Sequence, residues 1–204
     1  MIQIENYYFV DGMETYYSRY VNHMFDWIHV IPHVKNTSLV VQAGGHVGLW
    51  PLALSKVFDQ VISFEANEKN YKTAILNTSE QKNIKLHQSA LSSSTGEVFL
   101  VENKSNTGGH YISKEKGLKV HCQSIDDLNL STCDAIILDI EGHELEALYG
   151  AEKTIDLFSP VLMLERKSHK KKNGYDCEIM DQWLQRMNYA CVKSVSKDKI
   201  YIRL

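Results

Sequence analysis

The chain has 204 residues, 44% of them apolar and 23% charged, with a net charge of −3. Those proportions suit one globular α/β domain and exclude long disordered tracts. The near-neutral balance argues against a protein whose main work is to coat nucleic acid or an anionic membrane surface, and no apolar run reaches transmembrane length.

Cys122, Cys133, Cys177 and Cys191 form no C-x-x-C pair and fit no common zinc spacing. They read as reduced thiols, and the opening MIQIENYYFVDGMETYY lacks the cationic start and apolar stretch of a secretory leader. A cytoplasmic location is the expectation. Residues 1–36 read as an N-terminal helical extension to a single domain over 37–204. Tyr16, Tyr17, Tyr20, Val21, Met24, Phe25, Trp27, Ile28 and Ile31 recur at helical spacing until Pro32. The pattern predicts a helix packed on the sheet by its aromatic face. The competing reading makes Tyr7, Tyr8, Tyr16 and Tyr17 a lid or substrate wall.

The organising stretch follows: Leu39-Val40-Val41-Gln42-Ala43-Gly44-Gly45-His46-Val47-Gly48. It reads as a buried strand, a glycine turn and the start of a helix over 47–57. About twenty residues later a second apolar run, Val61-Ile62-Ser63-Phe64, ends in Glu65. An acid at the tip of the second strand is where a nucleotide-binding α/β sheet holds ribose hydroxyls. Downstream, strands are predicted at 38–43, 60–65, 84–88, 97–101, 134–139, 160–165, 189–194 and 199–203. Helices are predicted at 47–57, 67–80, 143–157 and 175–188. Alternation of this kind implies a mostly parallel sheet with helices on both faces. The last two strands, joined by a short polar turn, imply an antiparallel hairpin. Between 102 and 121 the pattern is irregular and reads as an inserted flap at the ligand edge.

The other informative stretch is Asp134-Ala135-Ile136-Ile137-Leu138-Asp139-Ile140-Glu141-Gly142-His143-Glu144. Carboxylates grouped at a strand's C-terminal end repel one another, and a sequence keeps such a cluster more often for function than for stability. Here the chain resembles the FkbM family of S-adenosylmethionine-dependent methyltransferases. The stretches that carry the resemblance are VVQAGGHVG (40–48), FEAN (64–67), SALS (89–92), SIDDL (124–128), LDIEGHE (138–144), LYGA (148–151) and PVLMLE (160–165). The resemblance implies a Rossmann-like class I methyltransferase fold, usually with a seven-stranded sheet. It also implies methyl transfer to a hydroxyl, often on a sugar or a small metabolite. Two positions depart from the family pattern. Gln42 stands where an acid is usual, and Ile137 stands where Lys is frequent.

Carried onto this sequence, the resemblance places the cofactor against Gln42, Ala43, Gly44, Gly45 and Gly48, its ribose on Glu65, and its adenine by Ala66, Asn67, Ser89 and Ala90. Asn67 equally reads as the cap of the following helix. Asp139 falls near the methyl-transfer point. Glu141 and His143 join it as candidate catalytic groups, with His143 the natural general base because an unperturbed imidazole titrates near neutrality. His46, His110, Tyr111 and Arg166 are candidate acceptor contacts. The basic run 166–172 reads either as a solvated loop or as a site for an anionic acceptor. The cofactor is S-adenosylmethionine, leaving as S-adenosylhomocysteine, and the partner is a small-molecule or glycan hydroxyl with no role for a membrane or for nucleic acid. A divalent metal is the disfavoured reading, because the acids alone make an incomplete ligand set. Two competing functions remain open. A nicotinamide-dependent oxidoreductase shares the glycine turn and the acid, but the turn lacks the full G-x-G-x-x-G pattern and no Tyr-x-x-x-Lys pair is present. A degenerate binding module would keep the fold and lose the chemistry.

Overall fold

The computed structural model describes residues 1–166 and 177–204. The basic run beyond Arg166 and the first residues of the helix predicted from 175 lie outside the described residues. Along the chain come β1 (Ile2–Ile4), β2 (Tyr7–Phe9), α1 (Tyr17–His23), a 3-10 helix (Asp26–His33), β3 (Leu39–Ala43), α2 (Leu49–Leu54), β4 (Gln60–Phe64), α3 (Glu68–Thr78) and β5 (Ile84–His87). Then follow β6 (Ala90–Leu91), β7 (Gly96–Val101), β8 (Tyr111–Ser113), β9 (Leu118–Gln123), β10 (Ala135–Leu138), α4 (Glu144–Tyr149), α5 (Glu152–Phe158), β11 (Val161–Glu165), α6 (Cys177–Arg186), β12 (Tyr189–Val195) and β13 (Asp198–Arg203).

Seven strands form the central sheet in the order β12-β13-β11-β10-β3-β4-β5. The five strands β11, β10, β3, β4 and β5 run parallel, and β13 adds antiparallel to β11, with β12 antiparallel to it in turn. This is the predicted class I methyltransferase architecture with its terminal hairpin. The chain first builds outward through β4 and β5, then returns to lay β10 on the other side of β3. The sheet direction of winding therefore reverses between β3 and β10, which is where open α/β sheets bind ligands.

The central strands β3, β4, β10 and β11 are mostly apolar because both their faces are covered. Val41, Ile62, Ile136, Leu138, Leu162 and Leu164 face one core, packed by α4, α5 and α6 residues such as Leu148, Ile155 and Trp183. Val40, Val61, Ala135, Ile137 and Met163 face the other, packed by Leu54 and Phe58 and by Phe9, Met24, Trp27 and Val30 from the N-terminal segment. Each fully buried Ile or Leu here contributes on the order of 2 kcal/mol.

The N-terminal segment is not the single helix expected. Residues 2–9 pair as a hairpin whose turn puts Glu5 at φ +50°. The helical part is split into α1 and a 3-10 helix that runs through Pro32 rather than stopping at it. The helix expected over 143–157 is likewise two, α4 and α5. A Cβ on Gly150 would lie 2.1 Å from the carbonyl oxygen of Ser92, so the chain breaks where it must pass that backbone. The flap expected over 102–121 is part of a larger, second four-stranded sheet in the order β6-β9-β7-β8, which also takes the strand predicted at 97–101 out of the central sheet.

Candidate active site

The glycine turn is fixed by the neighbouring strand. The amides of Gly44 and Gly45 donate to the carbonyl of Phe64 at 3.1 and 2.9 Å. Gly44 has φ +83°, and a Cβ there would lie 1.9 Å from the carbonyl oxygen of Asp139. Only glycine lets β3 and β10 end this close together. Gly48, also at positive φ, serves helix packing instead, since a Cβ there would press on Ala74 of α3 at 2.9 Å.

Glu65 closes the next position along. One carboxylate oxygen accepts the amide of His46 at 2.7 Å and the other accepts the amide of Asn67 at 2.7 Å. Burial pushes its pKa up to about 7, against the pull of those two amides. On the other side of the turn, the Asp139–His143 loop carries Glu141 at φ +59° and Gly142 at φ +103°. Glu144 clamps this loop from below, because its buried Oε1 accepts the amides of Ile140 and Gly142 at 3.0 and 3.2 Å. The last Glu of the DIEGHE stretch is therefore a turn fastener.

These groups line one cleft of about 280 Å³ along the C-terminal edge of the sheet. Strand order sets their sequence: Ser89 and Ala90 beyond β5, Glu65 and Ala66 at β4, Ala43, Gly44 and Gly45 at β3, Asp139 and Glu141 at β10, Glu165 at β11, Asp198 at β13. The flap covers the first part with Thr107, Gly108, His110, Tyr111 and Ile112, and the N-terminal segment walls the second with Arg19, Tyr20, His23 and Asp26. Tyr20 joins the two covers. Its hydroxyl donates to Asn106 Oδ1 at 2.7 Å, and its ring lies 4.6 Å from that of His46.

Of the residues expected from sequence, the cleft thus brings together Ala43, Gly44, Gly45, His46, Glu65, Ala66, Ser89, Ala90, His110, Tyr111, Asp139, Glu141 and His143. Four others lie outside it. Gln42 is fully buried within the sheet, accepting from Ser63 Oγ at 2.6 Å. Gly48 packs α2 on α3. Asn67 caps α3, accepting the amides of Lys69 and Asn70 and donating to Glu102. Arg166 is held to α6 through Asp181 at 2.6 Å. Nor do Tyr7, Tyr8, Tyr16 and Tyr17 form the aromatic wall, which comes from Tyr20 and Trp50.

His46 and His143 are neutral at physiological pH. Burial lowers His46 to about 3 and His143 to about 4. His143 Nε2 meets Ser92 Oγ at 3.0 Å, and His46 Nε2 meets Thr107 Oγ1 at 2.8 Å. A histidine held this far down is a poor general base, so the base expected at His143 has to be sought elsewhere. The sequence reading matched Glu165 to the family only as a strand-end acid, without a role in the site, and missed Asp198. Burial first, then the charges of Asp139 and Glu144, raises Glu165 to about 9. Burial and Asp139 raise Asp198 to about 7. One oxygen each of Asp139, Glu141 and Glu165 lie within 4.8 Å of one another, close enough for the three to share a metal ion.

Residues 42–191 match the profile of the Methyltransferase FkbM domain. No curated protein matches the sequence. Among solved structures, the chain is similar to a Methyltransferase FkbM from Methylobacillus flagellatus KT, with a TM-score of 0.55 and 20% identity over 81% of this chain and 43% of that one. The chain therefore spans less than half the length of that protein. It is also similar to magnesium protoporphyrin IX methyltransferase from Synechocystis PCC 6803 with bound S-adenosylmethionine, with a TM-score of 0.55 and 14% identity over 96% and 85% of the two chains. A TehB-like S-adenosylmethionine-dependent methyltransferase from Corynebacterium glutamicum ATCC 13032 gives 0.53 and 10% over 94% and 97%. At these identities the likeness is one of fold.

Proposed function

The chain belongs to the FkbM family of S-adenosylmethionine-dependent methyltransferases, and we propose that it methylates a hydroxyl of a sugar, glycan or small metabolite in the cytoplasm. The observation that carries this reading is the order of groups along the cleft: Glu65, Gly44 and Asp139 on three adjacent parallel strands. On this reading ribose lies on Glu65, adenine extends toward Ala66, Ser89 and Ala90, and the methionine end crosses Gly44 and Gly45 toward Asp139. The acceptor enters from the far end, between Tyr20, Trp50, Asp139, Glu165 and Asp198. In the described residues, no helix is long and apolar enough to cross a membrane.

The methyl of S-adenosylmethionine is already activated by its sulfonium. What remains for the protein is alignment of the acceptor oxygen with the departing sulfur, exclusion of water, and removal of one proton. The flap and the N-terminal segment supply the exclusion, and the carboxylates at the ends of β10, β11 and β13 supply the acceptor for the proton. Titration calorimetry with S-adenosylhomocysteine tests the cofactor site. Methyl-labelled S-adenosylmethionine incubated with methyl glycosides tests the acceptor class, with label expected on the glycoside and absent in Asp139→Ala.

A further inference from the structure

Thr107 of the flap is gripped from three parts of the chain. Its amide donates to Met13 Sδ at 3.4 Å, its carbonyl accepts Asn70 Nδ2 at 2.9 Å, and its hydroxyl shares a 2.8 Å hydrogen bond with His46 Nε2. Met13 belongs to the N-terminal segment, Asn70 to the first turn of α3 and His46 to the glycine turn. A loop that merely covered the cleft would leave these groups to water. His46 is fixed from its own side as well. Its amide donates to Glu65 Oε2 at 2.7 Å, and its ring lies 4.6 Å from that of Tyr20. Its backbone stands at φ +47°, an uncommon state for a residue with a Cβ. A third glycine after Gly44 and Gly45 would take that φ without strain, so the imidazole is what the position keeps.

Tyr20 completes a ring of contacts. Its hydroxyl donates to Asn106 Oδ1 at 2.7 Å, and the same oxygen accepts the amide of Gly108 at 3.1 Å. A Cβ on Gly108 would lie 2.9 Å from that hydroxyl, so the turn is shaped to receive it. Tyr20 stands on α1, together with Arg19 and His23 of the acceptor wall. This helix has seven residues and none of them is buried. An element so short, with no core of its own, is placed by its ties to neighbours.

We propose that His46 and Thr107 are positioning residues that make the acceptor wall depend on the donor: a ligand seated on Glu65 fixes the His46 turn, His46 fixes Thr107, and the flap then sets Tyr20 and α1. This rests on the cofactor reading above and deepens it. Neither residue takes part in the bond changes. The coupling is reciprocal, so whatever orders α1 also tightens the donor. The donor binds first, and the acceptor pocket takes its final shape once a methyl group is there to be transferred.

Hydrogen exchange on the full chain at pH 7, with and without S-adenosylhomocysteine, tests the coupling. In the wild-type protein the ligand is expected to slow exchange about tenfold over 106–112 and over α1 alike. Thr107→Val drops the hydroxyl. It is expected to confine the slowing to the residues around Glu65 and to lose about three- to tenfold in affinity by calorimetry. Thr107→Ser keeps the hydroxyl and is expected to restore both, a rescue that a packing role for the threonine methyl would not give. His46→Asn suits the left-handed backbone but is too short to reach Thr107, and it is expected to match Thr107→Val. Binding that slows exchange around Glu65 and leaves α1 unchanged in the wild-type protein overturns the proposal, and that comparison needs no variant to fold. Thr107→Ser behaving as Thr107→Val overturns it too. Absence of any heat with S-adenosylhomocysteine would instead sink the cofactor site itself, and this inference with it.

Discussion

Affinity for S-adenosylhomocysteine is expected to rise about tenfold between pH 6 and pH 8, and Glu65 is the reason. Burial lifts this carboxyl from an ordinary 4.5 to about 7. Both its oxygens already accept backbone amides at 2.7 Å. The ionised group keeps lone pairs for two ribose hydroxyls. A protonated one turns an oxygen into a donor that faces an N–H. If only the ionised form binds, affinity follows the ionised fraction, which is about one-tenth at pH 6 and about nine-tenths at pH 8. The rise corresponds to about 1.4 kcal/mol. Stability of the ligand-free protein runs the opposite way. Glu65 has its pKa raised on folding, so its contribution is full below about 4.5 and is lost as pH climbs through about 7. Glu65→Gln places an amide N–H against a backbone N–H and removes one charged acceptor, a loss of about 1–3 kcal/mol in binding, or roughly five- to 150-fold in affinity. Calorimetry at pH 6, 7 and 8 on both proteins checks this. A flat wild-type profile, or the same slope in Glu65→Gln, would refute the assignment.

Other perturbations follow from contacts already given. Gly44→Ala forces a Cβ to 1.9 Å from the Asp139 carbonyl at φ +83°, and urea unfolding should show a loss of about 2–5 kcal/mol. Tyr20→Phe removes the bond to Asn106 and should cost about 0.5–1.5 kcal/mol, with faster amide exchange over 106–111 as its local signature. Gln42→Glu puts an unpaired carboxylate at a fully buried site and should destabilise by about 3–5 kcal/mol. Adding Ile137→Lys should recover part of that, because residues 42 and 137 are in register across β3 and β10; strictly additive losses would contradict the pairing.

That last pair shows what the sequence held and what it hid. Taken separately, Gln42 and Ile137 looked like two losses from the catalytic pattern. The sheet register makes them neighbours within the sheet, so they replace two charges together and leave no buried charge unpaired. The alternation of strands and helices was legible because both-sided burial writes continuous apolar runs such as Val161–Glu165. The glycine turn, Glu65 and Asp139 were legible because a single strand end dictates each. The N-terminal hairpin was not. Its strands have three residues each and no periodicity to read, and the aromatic spacing that follows suits a helix or a broken 3-10 run equally. Asp198, and the closeness of Glu165 to Asp139, escaped for another reason: they come from β10, β11 and β13 being neighbours, which no local pattern states. His143 was visible, but not its burial beside Ser92, which lowers its pKa to about 4 from the value its residue type suggests.

The two ends of the cleft come from different parts of the polypeptide. The nucleoside half is drawn from one stretch between Ala43 and Ile112, whereas the far half borrows Arg19 to Asp26 from before it and Glu165 to Asp198 from after it. Change in those flanking segments can remodel what is methylated without disturbing how the donor is gripped. The architecture is modular in that sense: a constant handle with an exchangeable jaw, and the jaw is assembled from the sequence's two outer portions.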